Sequence, residues 1–278
     1  MRSTPGFLLA LLLLLAGCSG MVPEPGDGPG SRIDDPMAIP DAIPKDVPKS
    51  RYGNPESYEV FGQRYEVMES ASGHRERGIA SWYGSKFHGR RTSSGEPYDM
   101  YAMTAAHKHL PLPVWVEVRH LGNDRRIVVK VNDRGPFADN RIIDLSYAAA
   151  AKLGMLGTGT APVEIRTLTP GETPSKQASV TTASTPPEPT SSALKKPAYW
   201  IQVAAFGSAD NAKRMQRDLA SAALSIPVQI TRGQDGLHRV RLGPLTDVAA
   251  VDQATDELRR ANFQPGHVII ANNTGITD

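Results

Sequence analysis

The sequence predicts two folded domains of different class, a mainly β barrel followed by a small α+β domain. Between residues 51 and 168, short β-branched or aromatic runs are bounded by Gly, Pro, Asn or Asp, and only one helical segment is evident. Between residues 197 and 272, strand-like runs alternate twice with segments whose apolar residues recur at helical spacing. Many short strands with a single helix favour a small barrel. The second pattern favours a sheet covered on one side by two helices.

The barrel prediction depends on a few short runs of strand-forming residues. These runs span residues 78–83, 114–119, 127–131 and, as a closing strand, 163–168. The helix is predicted over residues 146–153, where four consecutive alanines follow Tyr147 and Gly154 ends the segment. Asp144 and Ser146 are both suitable N-caps for this helix, and the sequence alone leaves that choice open.

The second domain carries a weak internal repeat with a period of about 37 residues, in the order βαβ twice. Its strands are predicted over residues 201–206, 227–231, 238–242 and 267–270. The apolar face of the first helix comprises Ala212, Met215, Leu219 and Ala222, and that of the second comprises Val251, Ala254, Leu258 and Ala261. This order predicts a ferredoxin-like βαβ-βαβ sheet of four strands.

The N-terminus indicates secretion. A positive start precedes an apolar run of ten residues, which as a helix would be about 15 Å long and too short to cross a bilayer. This pattern is typical of a signal peptide, which we predict over residues 1–17. The residues before Cys18 resemble a bacterial lipobox, which implies lipidation of that cysteine. An ordinary signal peptide that contains a cysteine is the alternative. Ser19 favours the outer membrane over retention at the inner one, so we expect a lipoprotein facing the periplasm.

Two stretches lack the apolar residues needed for a core. Residues 18–50 are rich in Pro, Gly and Asp, and residues 169–196 in Pro, Ser, Thr and Lys. We predict that the first is a disordered tether and the second a disordered linker between the domains.

Composition excludes several classes of function. A net charge of +2 gives no strong field, which argues against a nucleic-acid partner. The single cysteine leaves no internal disulfide once it is lipidated. There is no His-Glu-x-x-His, Gly-x-Ser-x-Gly or Walker pattern, so we predict neither a metal nor a cofactor.

The barrel domain carries four acidic residues and one histidine in polar stretches near the ends of its predicted strands. The candidates are Glu96, Asp99, His107, Asp133 and Asp144. Cleavage of a glycosidic bond needs a proton donor for the leaving oxygen, and crowded carboxylates raise one another's pKa. Structural roles are also open: Asp133 fits a turn, Asp144 a helix cap, His107 a packed polar residue, and the other two solvated loop charges.

These stretches resemble a known family. Gly78-Ile-Ala-Ser-Trp-Tyr-Gly84, Thr92-Ser-Ser-Gly-Glu96, Thr104-Ala-Ala-His107 and Val131-Asn-Asp-Arg-Gly-Pro136 are similar to motifs of the rare lipoprotein A family. The resemblance implies a double-psi β-barrel, related to those of expansins. It also implies a lytic transglycosylase that cuts between N-acetylmuramic acid and N-acetylglucosamine in peptide-stripped glycan and leaves 1,6-anhydro ends.

The resemblance assigns the functional set Glu96, Asp99, His107 and Asp133, and Asp144 aligns with an acidic position of other enzymes with this barrel. We hypothesise that Asp133 or Asp144 protonates the leaving oxygen and then accepts the proton of the sugar's 6-hydroxyl. The predicted sugar-binding residues of this domain are Trp82, Tyr83, Phe87, Tyr98 and Arg134. Core packing of the aromatics and a solvated Arg134 are the alternatives.

The second domain resembles a SPOR domain through residues 199–206 and 238–244. That family binds denuded glycan at the division site. Position matching selects Gln202, His238 and Arg239 as glycan-binding residues, with a merely solvated sheet surface as the alternative.

Together these features predict an outer-membrane lytic transglycosylase that its own SPOR domain delivers to the septum. Two other functions remain open: a non-catalytic wall-binding lipoprotein that recruits division proteins, and a hydrolase that uses water as nucleophile.

Overall fold

The computed structural model describes residues 27–172, 197–222 and 224–271. The predicted signal peptide, Cys18 and most of the predicted interdomain linker lie outside these ranges. Within the described residues, no helix is both long enough and apolar enough to span a membrane.

The first domain is a closed six-stranded barrel preceded by a hairpin, as the sequence predicts for its class. Its elements are β1 (Ser57–Val60), β2 (Gln63–Glu66), β3 (Arg75–Tyr83), β4 (Thr104–His107), β5 (Val114–His120), β6 (Arg126–Asp133), β7 (Arg141–Ser146), α1 (Tyr147–Leu153) and β8 (Ala161–Leu168). The barrel order is β3-β7-β4-β6-β5-β8. The β3–β7 and β4–β6 pairs are parallel, and the other pairs are antiparallel.

The barrel interior is filled by alternate β-branched and aliphatic side chains, such as Val116, Val118 and Ile165, all fully buried. Helix α1 packs against this core, and the hydroxyl of Ser146 caps it by accepting the N–H of Ala149. Of the two candidate caps, Ser146 therefore performs this role, and Asp144 lies within β7.

Residues 27–50 differ from the predicted disordered tether, because they run along the barrel as a strap with one short 3-10 helix, Pro36–Ala38. The N–H of Ala42 donates to the carbonyl of Val128 at 3.0 Å, and Lys152 binds both the Ile39 carbonyl and the Asp41 carboxylate. Ile39 and Ala42 pack on the barrel core. A few apolar residues and main-chain hydrogen bonds are enough to order this strap, although its composition alone predicts disorder.

The second domain has a βαββαβ order. Its elements are β9 (Ala198–Phe206), α2 (Ala209–Ser221), β10 (Val228–Arg232), β11 (His238–Leu245), α3 (Val248–Arg260) and β12 (His267–Ala271). The strands form one antiparallel sheet in the order β10-β11-β9-β12. Both helices pack on the face that carries Ile201, Val240 and Leu242.

The two domains contact each other through α3 and β12. The guanidinium of Arg141, at the start of β7, makes two hydrogen bonds to the Asp252 carboxylate at 3.1 and 2.7 Å. The amide of Asn140 donates to the Thr255 hydroxyl at 2.6 Å, and Ile79 is buried in the apolar cluster of the second domain. The start of β7 is thus held beside the second domain.

Candidate functional site

Strand pairing places two carboxylates in one row across the outside of the barrel. Asp144 on β7 pairs with Ser81 on β3 and with Ala106 on β4, and Ala106 pairs in turn with Asp133 on β6. Paired residues on neighbouring strands point to the same face. The two carboxyl groups therefore flank the small side chain of Ala106, with their Cα atoms two strand spacings, or about 10 Å, apart.

Asp144 has the environment of a proton donor. Burial raises the pKa of its carboxyl group, while the Ser81 hydroxyl, which donates to Oδ1, and the charges of Arg141 and Lys108 oppose that shift. No described residue donates a hydrogen bond to Oδ2. A carboxyl group with a raised pKa and one unoccupied oxygen suits general acid catalysis.

Asp133 lies at a β-bulge, where β4 pairs with β6 through Val131 and then directly through Asp133. This irregularity skips Asn132 and turns Asp133 to the outer face. Its Oδ1 accepts hydrogen bonds from the N–H and hydroxyl of Ser93 and from the N–H of Arg134, at 2.6–2.8 Å. The carboxylate is therefore fixed in place by the loop that precedes β4.

Glu96 lies on that same loop and contacts the same part of β6. Its carboxylate accepts hydrogen bonds from Lys130 and from the Asn132 amide. Although partial burial opposes the effect, these two donors hold the pKa of Glu96 below its ordinary value. Glu96 is thus an anion beside Asp133.

A tyrosine pair lies among these acids. Tyr83 and Tyr98 stack with ring centroids 4.2 Å apart, and the Tyr98 hydroxyl donates to the Tyr83 carbonyl at 2.6 Å. Burial raises the pKa of Tyr83 well above its ordinary value, and the nearby charges of Asp133 and Asp144 add to the shift. Both tyrosines are buried, so they support the acids from beneath rather than offering a free ring face.

Replacing Tyr98 with phenylalanine should lower the free energy of unfolding by about 1–2 kcal/mol, because the hydrogen bond to the Tyr83 carbonyl is lost in a buried setting. Urea unfolding measures the change. Tyr52→Phe is the matched control, since Tyr52 is exposed. Equal stability of the Tyr98 variant and the parent would show that this hydrogen bond does not hold the loop.

Comparison with known proteins identifies the family. A lytic transglycolase family model matches residues 75–165, and a SPOR domain model matches residues 195–270. The chain is 38% identical to an endolytic peptidoglycan transglycosylase RlpA from Vibrio cholerae, over 94% of both chains. It is 37% identical to the RlpA of Pseudomonas aeruginosa, over 90% of this chain and 91% of that one. The chain belongs to the RlpA family.

A solved structure of an RlpA SPOR domain from Pseudomonas aeruginosa matches with 33% identity and a TM-score of 0.23, covering 26% of this chain and 96% of that one. The family membership confirms the double-psi barrel and the SPOR domain that the motifs predicted. The roles of single residues in this RlpA chain remain predictions.

The other predicted sugar-binding aromatics differ in exposure. Trp82 is half-buried and packs against Tyr147, with ring centroids 5.7 Å apart. Phe87 is 41% exposed and meets the edge of Tyr83, so it offers the freest ring for sugar stacking. Asp99 is exposed on the neighbouring loop, where it accepts the N–H of Tyr101 and lies 3.9 Å from His88.

Arg134 is engaged with the protein backbone. Its guanidinium donates to the carbonyl oxygens of Gly53, His107 and Leu110, at 2.5–3.1 Å. These bonds join the Asp133 turn to the segment that follows β4. The structure therefore places Arg134 as a brace for the loops around the site rather than as a free group that faces a sugar.

His107 faces away from the acid row, and Asp99 on its exposed loop makes no contact with that row either. His107 pairs with Ile143, a core residue, and neighbours Ala106 on the strand, so its ring points into the barrel end. There its Nε2 lies 3.3 Å from the carboxylate of Glu76. Burial lowers the pKa of His107, and Glu76 only partly opposes this.

Two residues of this site were missed from the sequence. Glu76 precedes the first recognisable motif and is brought to His107 by barrel closure. Lys108 follows His107 directly, and its ammonium lies near both Glu76 and Asp144. Burial lowers the pKa of Lys108, while these two carboxylates oppose the shift. In the sequence, only its place directly after His107 could have singled out Lys108.

In the SPOR sheet, Gln202 pairs with Arg241 on one side and with His267 on the other, all on the face opposite the helices. Arg239 shares that face by alternation along β11. His238 does not, because it alternates with the helix-facing Val240 and Leu242. The structure thus adds Arg241 and His267 to the polar side chains on this sheet face. Alternation along the strand from Arg239 already predicted Arg241.

Proposed function

We propose that this chain is an endolytic lytic transglycosylase that uses Asp144 as its acid and base. Its substrate would be peptide-stripped peptidoglycan glycan, cut between N-acetylmuramic acid and N-acetylglucosamine. The observation that carries the proposal is the row of Ser81, Asp144, Ala106 and Asp133 across four neighbouring strands. Membership of the RlpA family supports the reaction class.

The reaction needs one group that first donates and then accepts a proton. Protonated Asp144 donates its proton to the glycosidic oxygen as the bond from that oxygen to C1 breaks. The resulting carboxylate takes the proton from the 6-hydroxyl of the same N-acetylmuramic acid while O6 bonds to C1. The product is a 1,6-anhydro sugar, and Asp144 is protonated again. Because the nucleophile is already part of the substrate, no second base is required.

The neighbouring groups would support this step electrostatically. The fixed carboxylate of Asp133, across the small Ala106, faces the positive charge that develops at C1 in the transition state. Glu96 adds negative charge beside it, and the ammonium of Lys108, which donates to the Arg141 carbonyl at 2.9 Å, acts electrostatically on the Asp144 carboxylate.

Mass spectrometry of products from denuded sacculi tests the proposal. Anhydro ends released by the purified chain are the expected result. Reducing ends would instead show a hydrolase that uses water, and binding without any cleavage would show a wall-binding lipoprotein. Either of these two results would overturn the transglycosylase assignment.

We also propose how the enzyme reaches its substrate. A lipid on Cys18 would hold the chain at the outer membrane, facing the periplasm, and the SPOR domain would enrich it at the septum among division proteins. Two modules that bind the same polymer raise its local concentration at the barrel. Labelling with a radioactive or clickable fatty acid tests the anchor, with Cys18→Ala expected to remain unlabelled.

Replacing Gln202 with alanine should weaken binding of the full chain to denuded sacculi about tenfold, as the loss of one well-formed hydrogen bond predicts. Pelleting with amidase-treated sacculi measures the affinity. Gln234→Ala is the matched control, since Gln234 is exposed in the turn between β10 and β11. Unchanged binding of the Gln202 variant would remove this sheet face from the glycan site.

A further inference from the structure

The tautomer of His107 is fixed by the backbone around it. Its Nδ1 accepts the N–H groups of both His109 and Leu110, each at 3.1 Å. The proton of the neutral ring therefore resides on Nε2, which points at Oε2 of Glu76, 3.3 Å away. With a side chain only 2% exposed, His107 has no free ring nitrogen to offer a sugar.

Glu76 is the exposed end of this arrangement. Its Oε2 lies 3.3 Å from both His107 Nε2 and His74 Nε2, and its side chain is 35% exposed. No described residue donates to its Oε1. Although burial opposes the effect, hydrogen bonds from the two histidines hold the pKa of Glu76 below its ordinary value. The group is therefore an anionic acceptor with one oxygen available.

The space in front of Glu76 fits a sugar ring. The carboxylate lines two adjoining cavities of about 460 and 580 Å³, each within the range of small-ligand sites. Tyr65 and Phe137 form an aromatic wall of the first cavity, with ring centroids 5.6 Å apart. Lys108 also lines this cavity and is near Asp144 as well, which connects it to the acid row.

The same three side chains have the composition of a metal site, since ligand atoms of His74, Glu76 and His107 lie within 4.8 Å of one another. A metal at this point would need the Nε2 lone pair of His107. That nitrogen carries the proton as long as both backbone N–H groups donate to Nδ1. The arrangement therefore favours a hydrogen-bond acceptor over a metal ligand set.

We infer that Glu76 binds a hydroxyl or acetamido N–H group of the glycan, and that His107 acts on the reaction by holding Glu76. This inference rests on the proposed function and assigns a second sugar subsite to it, at the barrel end, with Lys108 between it and Asp144. In this arrangement Glu76 contacts the substrate, whereas His107 is a positioning residue.

The first test replaces Glu76 with glutamine in the full mature chain. A lost hydrogen bond to a charged acceptor predicts a KM for denuded glycan raised roughly 10- to 100-fold, with kcat changed less than about threefold. Glu59→Gln is the control, because Glu59 is an exposed carboxylate on β1. A purely structural role would instead lower stability and leave KM unchanged, which would overturn the inference.

The second test separates the two nitrogens of His107. In His107→Asn the amide oxygen can still accept the backbone N–H groups, but nothing reaches Glu76, so KM should rise as in E76Q. The double variant E76Q/H107N should be no worse than either single one, because both changes remove the same interaction. Additive effects in the double variant would overturn the role of His107.

A binding measurement keeps the inference apart from the proposed mechanism. Calorimetry with denuded glycan compares the chain carrying D144N with the same chain carrying E76Q in addition. All other glycan contacts are the same in both, so the expected affinity loss of about tenfold or more isolates the contribution of Glu76. Equal affinities would overturn the subsite even if cleavage proceeds through Asp144. Activity that is lost with a chelator and restored by zinc would also overturn it, in favour of a metal.

Discussion

Replacing Asp144 with asparagine is expected to lower the rate of anhydro-product release by about 10²- to 10⁴-fold, the usual contribution of a positioned general acid. Asparagine keeps the size of the side chain and an oxygen that accepts the Ser81 hydroxyl, but it has no transferable proton. Single-turnover assays on denuded glycan measure the rate. Asp46→Asn is the matched control, since Asp46 is exposed on the strap.

The pH dependence of the rate gives this prediction a second observable. Burial raises the pKa of Asp144, so its acid form persists to a higher pH than that of an ordinary carboxyl group. The rate of the parent chain should fall as pH rises through that raised pKa, because the proton donor is then lost. The residual activity of D144N should lack this decline.

The D144N substitution should lower activity without lowering the stability of the fold. A carboxyl group whose folded-state pKa is raised contributes stability that is present below the unfolded pKa and lost as pH rises through the folded one. D144N does not suffer this loss, so its melting temperature should equal or exceed that of the parent at neutral pH. An inactive variant that melts well below the parent would point to misfolding rather than to a missing acid.

The acid row illustrates which parts of the site the sequence can predict. Asp133 and Asp144 are recognisable from their motifs, but their positions across from each other depend on the β-bulge at Asn132. Simple alternation after the buried Val131 would turn Asp133 inward. A bulge arises from the pairing of two distant strands, so no local pattern announces it.

The same reasoning applies to the elements and contacts that were missed. Strand β4 and strand β7 are short and end in polar residues, so they resemble loops until the barrel closes around them. Glu76 meets His107 across 31 positions of sequence, and only the fold brings them together. In contrast, helix α1 follows from its alanine run and its flanking Ser146 and Gly154, and both SPOR helices follow from the spacing of their apolar residues; the structure confirms all three.

The largest loss of stability is expected at Glu117, on the side of the barrel formed by β5, β6 and β8. Its side chain is 2% exposed, and its carboxylate binds Arg126 at 3.0 Å and Arg166 at 3.2 and 3.3 Å. Replacing it with alanine leaves two largely buried guanidinium groups without this anion between them. Breaking a buried ion pair from one side costs about 3–5 kcal/mol. Glu117→Ala should therefore unfold at markedly lower urea concentration.

This loss of stability should leave the chemistry intact, because Glu117 lies on β5, which carries no residue of the acid row, and its partner Arg126 lies at the end of β6 opposite to Asp133. At a temperature well below its melting point, Glu117→Ala should keep the KM and kcat of the parent. Asp34→Ala is the control, since the Arg32–Asp34 pair is almost fully exposed and such pairs contribute little. A Glu117 variant as stable as the parent would mean that the two arginines reach water when the carboxylate is gone. In that case the core of β-branched residues, rather than the ion pairs of Glu117 with Arg126 and Arg166, would hold this side of the barrel closed.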